Sequence, residues 1–199
     1  MQTRERIVEA AEQVMRSKGL ARTTTKEIAR EAGYSEGAIY KHFESKEELF
    51  ICVLTERLPS FVGIIRELPQ RVGQEKIAEV LKEVAGAALA FYGESFPMSA
   101  SIFSEPGLLA RHRIEVRRIG TGPEKANEAL AAYLEGERDL GRVREDADPE
   151  AVAAMLLGAC FQRAFFKSFS GEGAASVQDG DFVEGIVQTL MRSLSPSGE

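Results

Sequence analysis

Residues 24–43, TTKEIAREAGYSEGAIYKHF, read as two short helices joined by a glycine turn. Thr24 stands where an N-cap is needed, and Glu27 three residues on completes a capping box, in which side chain and backbone satisfy each other's orphan groups. Ile28, Ala29 and Ala32 supply a buried side, and Gly33 sits where a left-handed residue ends a helix. Ser35 is the cap of the second helix, with Ile39 and Phe43 four apart on its inner face. That leaves Glu36, Gly37, Ala38, Tyr40, Lys41 and His42 largely outward. Small residues near a helix start let it sink into a groove, and the Tyr, Lys and His donors behind them suit phosphates. The spacing is that of a DNA-reading helix-turn-helix.

The flanks extend the pattern. Before it, RERIVEAAEQVMRSKGL carries Ile7, Ala11 and Val14 at helical spacing and is expected to stop at Gly19. After it, Ser45-Lys46-Glu47-Glu48 predicts a second capping box, followed by apolar Leu49, Phe50 and Val53. From Thr3 to about Val53 the chain resembles the N-terminal domain of the tetracycline-repressor (TetR-type) transcription regulators. The matching elements are the RERIVEAA opening, the KEIAREAGYSEGAIYKHF core and the SKEELF close.

The resemblance implies an all-α chain. Residues 1–50 would form a three-helix DNA-binding domain, and residues 51–199 a helical effector-binding and dimerisation domain. It also implies that Ser35 to Lys41 enter the major groove. Tyr40, His42 and Lys46 would hold phosphates, with Thr24, Thr25 and Lys26 helping from the preceding helix. Residue by residue a blander role stands beside each of these. Tyr40 can be a half-buried core tyrosine, His42 an idle surface group, Thr25 a helix-start residue, and Lys46 a solvated charge. Glu36 departs from the family pattern, in which the residue after the capping serine is commonly not acidic. Facing phosphate its carboxylate would oppose binding; facing a cytosine amino group it could accept a hydrogen bond; or it simply favours the helix start.

Composition bounds the rest. The 199 residues are 44% hydrophobic, enough for a reading head and a larger domain with its own core. The charged N-terminus has no apolar signal segment, and the longest apolar run, Ala151 to Phe161, falls short of the roughly 20 residues of a membrane span. Cys52 and Cys160 lie in apolar helical patterns without metal-ligand spacing, as core thiols of a reducing cytoplasm would. The net charge is −6, yet residues 1–57 carry ten basic and ten acidic side chains, so the whole deficit lies beyond them. An acidic body and a neutral head describe a protein that needs the right DNA site rather than a general nucleic-acid binder.

Past the head the pattern stays helical. Pro59 predicts a kink or an end near Leu58, serving as a hinge or as a static bend. A helix from about Gln74 to Tyr92 is expected to break at Gly93-Glu94-Ser95-Phe96-Pro97. Leu109, His112, Val116 and Ile119 share one face of the next helix, and Thr121 to Glu124 open another towards Glu135. Asp148-Pro149 starts a helix to about Phe169. GEGAASVQDGD (residues 171–181) is a loop, and Asp181 with Glu184 is expected to cap a last helix ending near Leu194. These last two helices are apolar on more sides than a surface helix needs. They are either central core or covered by a second copy, with Ala154 and Gly158 allowing close approach. TetR-type regulators dimerise through this helix pair, which a symmetric reader of two half-sites also requires.

The resemblance further implies a small-molecule effector whose binding moves the heads out of register with DNA. Phe91, Tyr92, Phe96, Met98, Phe103, Tyr133, Phe161 and Phe165, with His112, either line that pocket or are plain core. Arg111, Arg113, Arg117 and Arg118 either meet an anionic effector or form a solvated face. With two histidines, no H-E-x-x-H, no G-x-S-x-G and no phosphate-cradling glycine loop, no catalytic residue, metal or cofactor is expected. The expected function is a homodimeric repressor on a palindromic operator, released by a small, largely apolar molecule. The alternative is an activator, or a helical ligand-binding dimer with weakened DNA binding.

Overall fold

The computed structural model describes residues 2–58, 61–170 and 178–196. Among these there are ten α-helices and one 3-10 segment, and no strand. The helices are α1 (Thr3–Arg22), α2 (Thr25–Ala32), α3 (Glu36–Ile39), α4 (Lys46–Glu56), α5 (Phe61–Arg71), α6 (Ile77–Ser99), α7 (Pro106–Ile119), α8 (Pro123–Asp139), α9 (Pro149–Ser170) and α10 (Asp179–Leu194). The 3-10 segment, Ala100–Ser104, follows α6. Two compact units form, each drawn from two stretches of the chain. The first holds residues 1–58 and 94–122, the second 59–93 and 123–199. The stretch 94–122 thus packs with the head, and α6 serves both units.

The first unit is built on α1, α2 and α4. Ile7, Ala11, Met15 and Leu20 of α1 are fully buried, as are Ile28, Leu49, Phe50 and Val53. Gly19 ends the regular part of α1 as expected, at φ 75° and ψ 161°. A Cβ there would come within 2.9 Å of the Ser101 hydroxyl, which itself accepts the Ala21 N–H at 3.1 Å. The glycine therefore gives both a bend and a close seat for the 3-10 segment. Pro97 does not break its helix. It removes one backbone bond near the end of α6, and the helix runs on to Ser99 before tightening into the 3-10 turn. Met98, completely buried in this unit, supplies apolar burial that offsets the lost bond.

The second unit gathers α5, the first four turns of α6, and α8 to α10 around Leu68, Leu81, Val84, Leu130, Leu134, Leu156 and Val187. Glu137 is fully buried at one corner. It accepts the Gly73 N–H at 2.9 Å and pairs with Arg142 at 3.0 Å, so the charge is compensated. Asp148 caps α9 as expected, its Oδ1 accepting the Ala151 N–H at 3.0 Å. The last helix starts earlier than its acids suggested: Gln178 is the N-cap, with no side-chain cap bond, and Asp181 already lies inside the first turn. Asp179 is held instead by Arg163 at 2.8 Å and Lys167 at 2.7 Å. Helix α4 ends at Glu56, short of Leu58; Pro59 and the loop residues 171–177 lie outside the described residues.

Candidate nucleic-acid interface

The helix-turn-helix forms at its expected place. Thr24 accepts the Glu27 N–H at 3.2 Å while Glu27 accepts the Thr24 N–H at 3.2 Å, a reciprocal box. Gly33 ends α2 in the left-handed region at φ 76°, and the next amide, Tyr34 N–H, reaches back to the Ala29 carbonyl at 2.9 Å. The second helix is shorter than the pattern suggested: α3 is four residues followed by a turn through His42. Ser35 occupies its N-cap position without a side-chain bond. At Ser45 the hydroxyl accepts the Glu48 N–H at 3.0 Å, but Glu48 turns to the Glu44 N–H, so the second box is not reciprocal.

Ile39 and Phe43 are buried, anchoring the short helix. Ser35, Glu36, Gly37, Tyr40, Lys41 and His42 are exposed and Ala38 is half-buried. Lys26 is exposed at the start of α2, with Thr24 exposed and Thr25 half-buried beside it. These residues form one outward surface carrying hydroxyl, ammonium and imidazole groups. Within it lies a link that sequence reading missed. The Thr25 hydroxyl donates to Glu36 Oε1 and lies 3.3 Å from the Tyr40 hydroxyl, joining the start of α2 to both ends of the reading segment. Nothing in local spacing signals it, because it depends on how α2 and α3 cross.

Lys46 is placed differently from its expected partners. Its ammonium donates to the carbonyls of Leu20 at 2.9 Å and Thr23 at 2.8 Å, clamping the α1–α2 link onto the start of α4. Burial holds its pKa below the ordinary lysine value. Arg4 and Arg6 brace the head from α1, with guanidinium groups 5.4 Å from the Phe43 ring centre and 5.5 Å from that of Tyr34.

The residues proposed for an effector pocket divide between the two units. Phe96, Met98, Phe103 and His112 belong to the first and the other five to the second. Met98 is core, Phe103 is 74% exposed, and His112 packs on Phe50 with ring centres 5.6 Å apart. Burial lowers the His112 pKa, with the Glu47 charge opposing. In the second unit Phe91 and Tyr92 meet Phe61 at 5.3 and 5.8 Å, and Tyr92 meets Phe161 edge-on at 5.5 Å. Phe61 is the member of this cluster that sequence reading missed. Burial pushes the Tyr92 phenol up to about 12, so it stays protonated at neutral pH. Phe165 stacks on Phe169 at 5.9 Å, and Tyr133 is buried near Glu137. An open surface cleft of about 740 Å³ beside α10, lined by Ala78, Lys82, Glu184, Val187, Met191 and Arg192 among others, contains none of the nine.

Two of the four clustered arginines on α7 are taken up by acids of α4. Arg111 donates to Glu47 at 2.8 Å, and Arg118 lies 3.2 Å from Glu48. Among the described residues no three His, Cys, Asp or Glu side chains are grouped to hold a metal, and no helix is long and apolar enough to cross a membrane. Cys52 and Cys160 are both buried and unpaired, each thiol pushed up to about 12 by burial.

Residues 7–53 match the family model of the bacterial regulatory proteins of the tetR family. Over 152 residues the chain is 32% identical to an uncharacterized HTH-type transcriptional regulator of Mycobacterium bovis, covering 76% of this chain and 75% of that one. With an HTH-type regulator of Bacillus subtilis the likeness is 34% over 84 residues, and the chain spans 29% of that protein's length. A solved TetR-family structure from Mesorhizobium loti aligns with TM-score 0.75 at 21% identity, covering 97% of this chain and 96% of that one. SmeT of Stenotrophomonas maltophilia aligns with TM-score 0.68 at 25% identity, covering 100% and 93%. The outward reading segment, the family match across it and the M. bovis relative agree: this chain belongs to the TetR family of DNA-binding transcriptional regulators.

Proposed function

We propose that the protein is a homodimeric repressor in the cytoplasm that reads a twofold-symmetric operator and releases it when a small, largely apolar molecule binds. The observation that carries DNA reading is the outward run from Ser35 to His42, anchored from behind by buried Ile39. Gly37 and Ala38 present little bulk to the major-groove floor, while Lys26, Tyr40, Lys41 and His42 ring it with phosphate donors; Thr24 and Thr25 stand beside them at the start of α2, their hydroxyl hydrogens already given to Glu27 and Glu36. Lys46 is left out of that ring because its ammonium already serves two carbonyls.

Dimerisation is supported by the outer face of α9. Ala154, Met155, Gly158, Phe161, Phe165, Phe166 and Phe169 are all exposed and recur at three- and four-residue steps, a stripe that water covers poorly. A second copy on this face and on α10 would set the heads on half-sites about one helical turn, roughly 34 Å, or a multiple of that apart. For the effector, the Phe61, Phe91, Tyr92 and Phe161 cluster offers aromatic surface with one hydroxyl. SmeT is described as the repressor of a multidrug efflux pump and has been solved in complex with triclosan.

Selection of a random duplex library by the full chain, followed by sequencing, tests the reading. A twofold-symmetric consensus whose affinity falls steeply with salt is the expected result, since each neutralised phosphate releases counterions. No enrichment even at low salt would remove the operator and leave a helical ligand-binding dimer.

A further inference from the structure

Glu36 lies in the middle of the surface that would face DNA, where a negative charge opposes phosphate. Its carboxylate is not loose. Oε1 accepts the hydroxyl hydrogen of Thr25, on the neighbouring helix α2, and that hydroxyl lies 3.3 Å from the Tyr40 phenol. Among the described residues Oε2 accepts no hydrogen bond, and the side chain is exposed. An ionised carboxylate only accepts hydrogen bonds. The phosphate backbone repels it, so within a protein–DNA contact its favourable place is over a base edge that donates.

The major groove presents few such edges. Guanine shows two acceptors, N7 and O6, and thymine shows the O4 acceptor beside a methyl group. Adenine offers its N6 amino group next to the N7 acceptor, which opposes a second carboxylate oxygen. Cytosine offers its N4 amino group with no acceptor on its own groove edge. We infer that Glu36, held by the Thr25 hydroxyl, reads one cytosine in each operator half-site. This rests on the DNA-binding reading above and names one specificity-determining residue within it. The tether matters because a free glutamate would lose rotamer freedom on contact, whereas one already held has less to lose.

The test repeats the library selection with the full chain and two variants, Glu36→Ala and Glu36→Gln, after confirming that each melts like the parent. The parent is expected to require C·G at one position of each half-site. Glu36→Ala should lose that preference, roughly tenfold at that base pair, with the other positions unchanged. Glu36→Gln, whose amide both donates and accepts, should shift the same position towards A·T, matching adenine N6 and N7. If both variants keep the parent's preference at every position, Glu36 reads no base and the inference falls, while the operator-binding reading stands. A uniform gain in affinity with unchanged preferences would likewise overturn it, marking Glu36 as a repeller of phosphate alone. No consensus from the parent chain would remove both.

Discussion

Arg111 donates from Nε to Glu47 Oε1 at 2.8 Å, and that carboxylate, in the first turn of α4, is only 5% exposed. The pair joins two segments 64 residues apart and ties α7 to the helix that follows the reading head. Arg118 reaches Glu48 one position along, and His112 lies between the two arginines, against Phe50. Two of the four clustered arginines of α7 therefore brace α4.

Arg111→Ala should lower stability by about 1–2 kcal/mol, less than a fully buried pair because the arginine is largely exposed. The loss comes from stranding the Glu47 carboxylate, so adding Glu47→Ala should recover part of it. Urea denaturation of the two single variants and the double variant measures the coupling; strictly additive losses would show that the pair does not interact.

Lys46→Met should cost about 1–3 kcal/mol, since the buried Thr23 carbonyl loses the ammonium donor, while Leu20 keeps its bond from the Thr23 N–H. The slope of operator affinity against salt should stay unchanged. A slope smaller by about one would instead place Lys46 on a phosphate.

Stability should depend on pH through His112. Its folded pKa lies below the ordinary 6.5, so on acidification the unfolded chain binds a proton that the folded chain resists. The contribution is complete above pH 6.5 and is lost as pH falls through that value towards the lower folded one. The carboxylates held below their ordinary 4.5, such as Glu56, act only further down. Between pH 7.5 and 5, His112→Leu should therefore lose less stability than the parent. Denaturation midpoints that fall in parallel for the two proteins would count against this.

Gly158→Glu separates fold from assembly. A Cβ at Gly158 meets nothing within 4 Å, so the protomer should fold with little change in melting temperature. Two such carboxylates facing each other across a twofold α9 contact would repel. Light scattering should report a monomer, and operator affinity should fall by about 100-fold or more as the second head is lost. A dimer of unchanged affinity would place the interface elsewhere.

Local chemistry made much of this molecule legible. The capping box at Thr24, the left-handed Gly33, the bend at Gly19 and the Asp148 cap each depend on residues within one helical turn, and each stands where its pattern placed it. The inner face of α3 was also readable, because Ile39 and Phe43 differ so plainly in character from their neighbours. Helix ends set by competition were less readable. Pro97 stays in its helix, with Met98 buried beside it, and α10 begins at Asp179, which pairs with Arg163 and Lys167, rather than at Asp181.

Partnerships between distant segments were beyond the sequence. The sequence offered Lys46 as a phosphate contact or a solvated charge, and Arg111 as part of an anion site or of a solvated face; it named no distant partner for either, nor for Glu47. Their contacts lie 23 to 64 residues away, where no periodicity reaches. The same holds for residues 94–122, which continue the C-terminal sequence yet pack with the head. Hydrophobic spacing and capping determined the all-helical class and the reading motif, because both arise from neighbours along the chain. Which charges are buried, which hydroxyl holds Glu36 and which unit each aromatic joins were decided by tertiary packing alone, because those contacts form only once the helices cross.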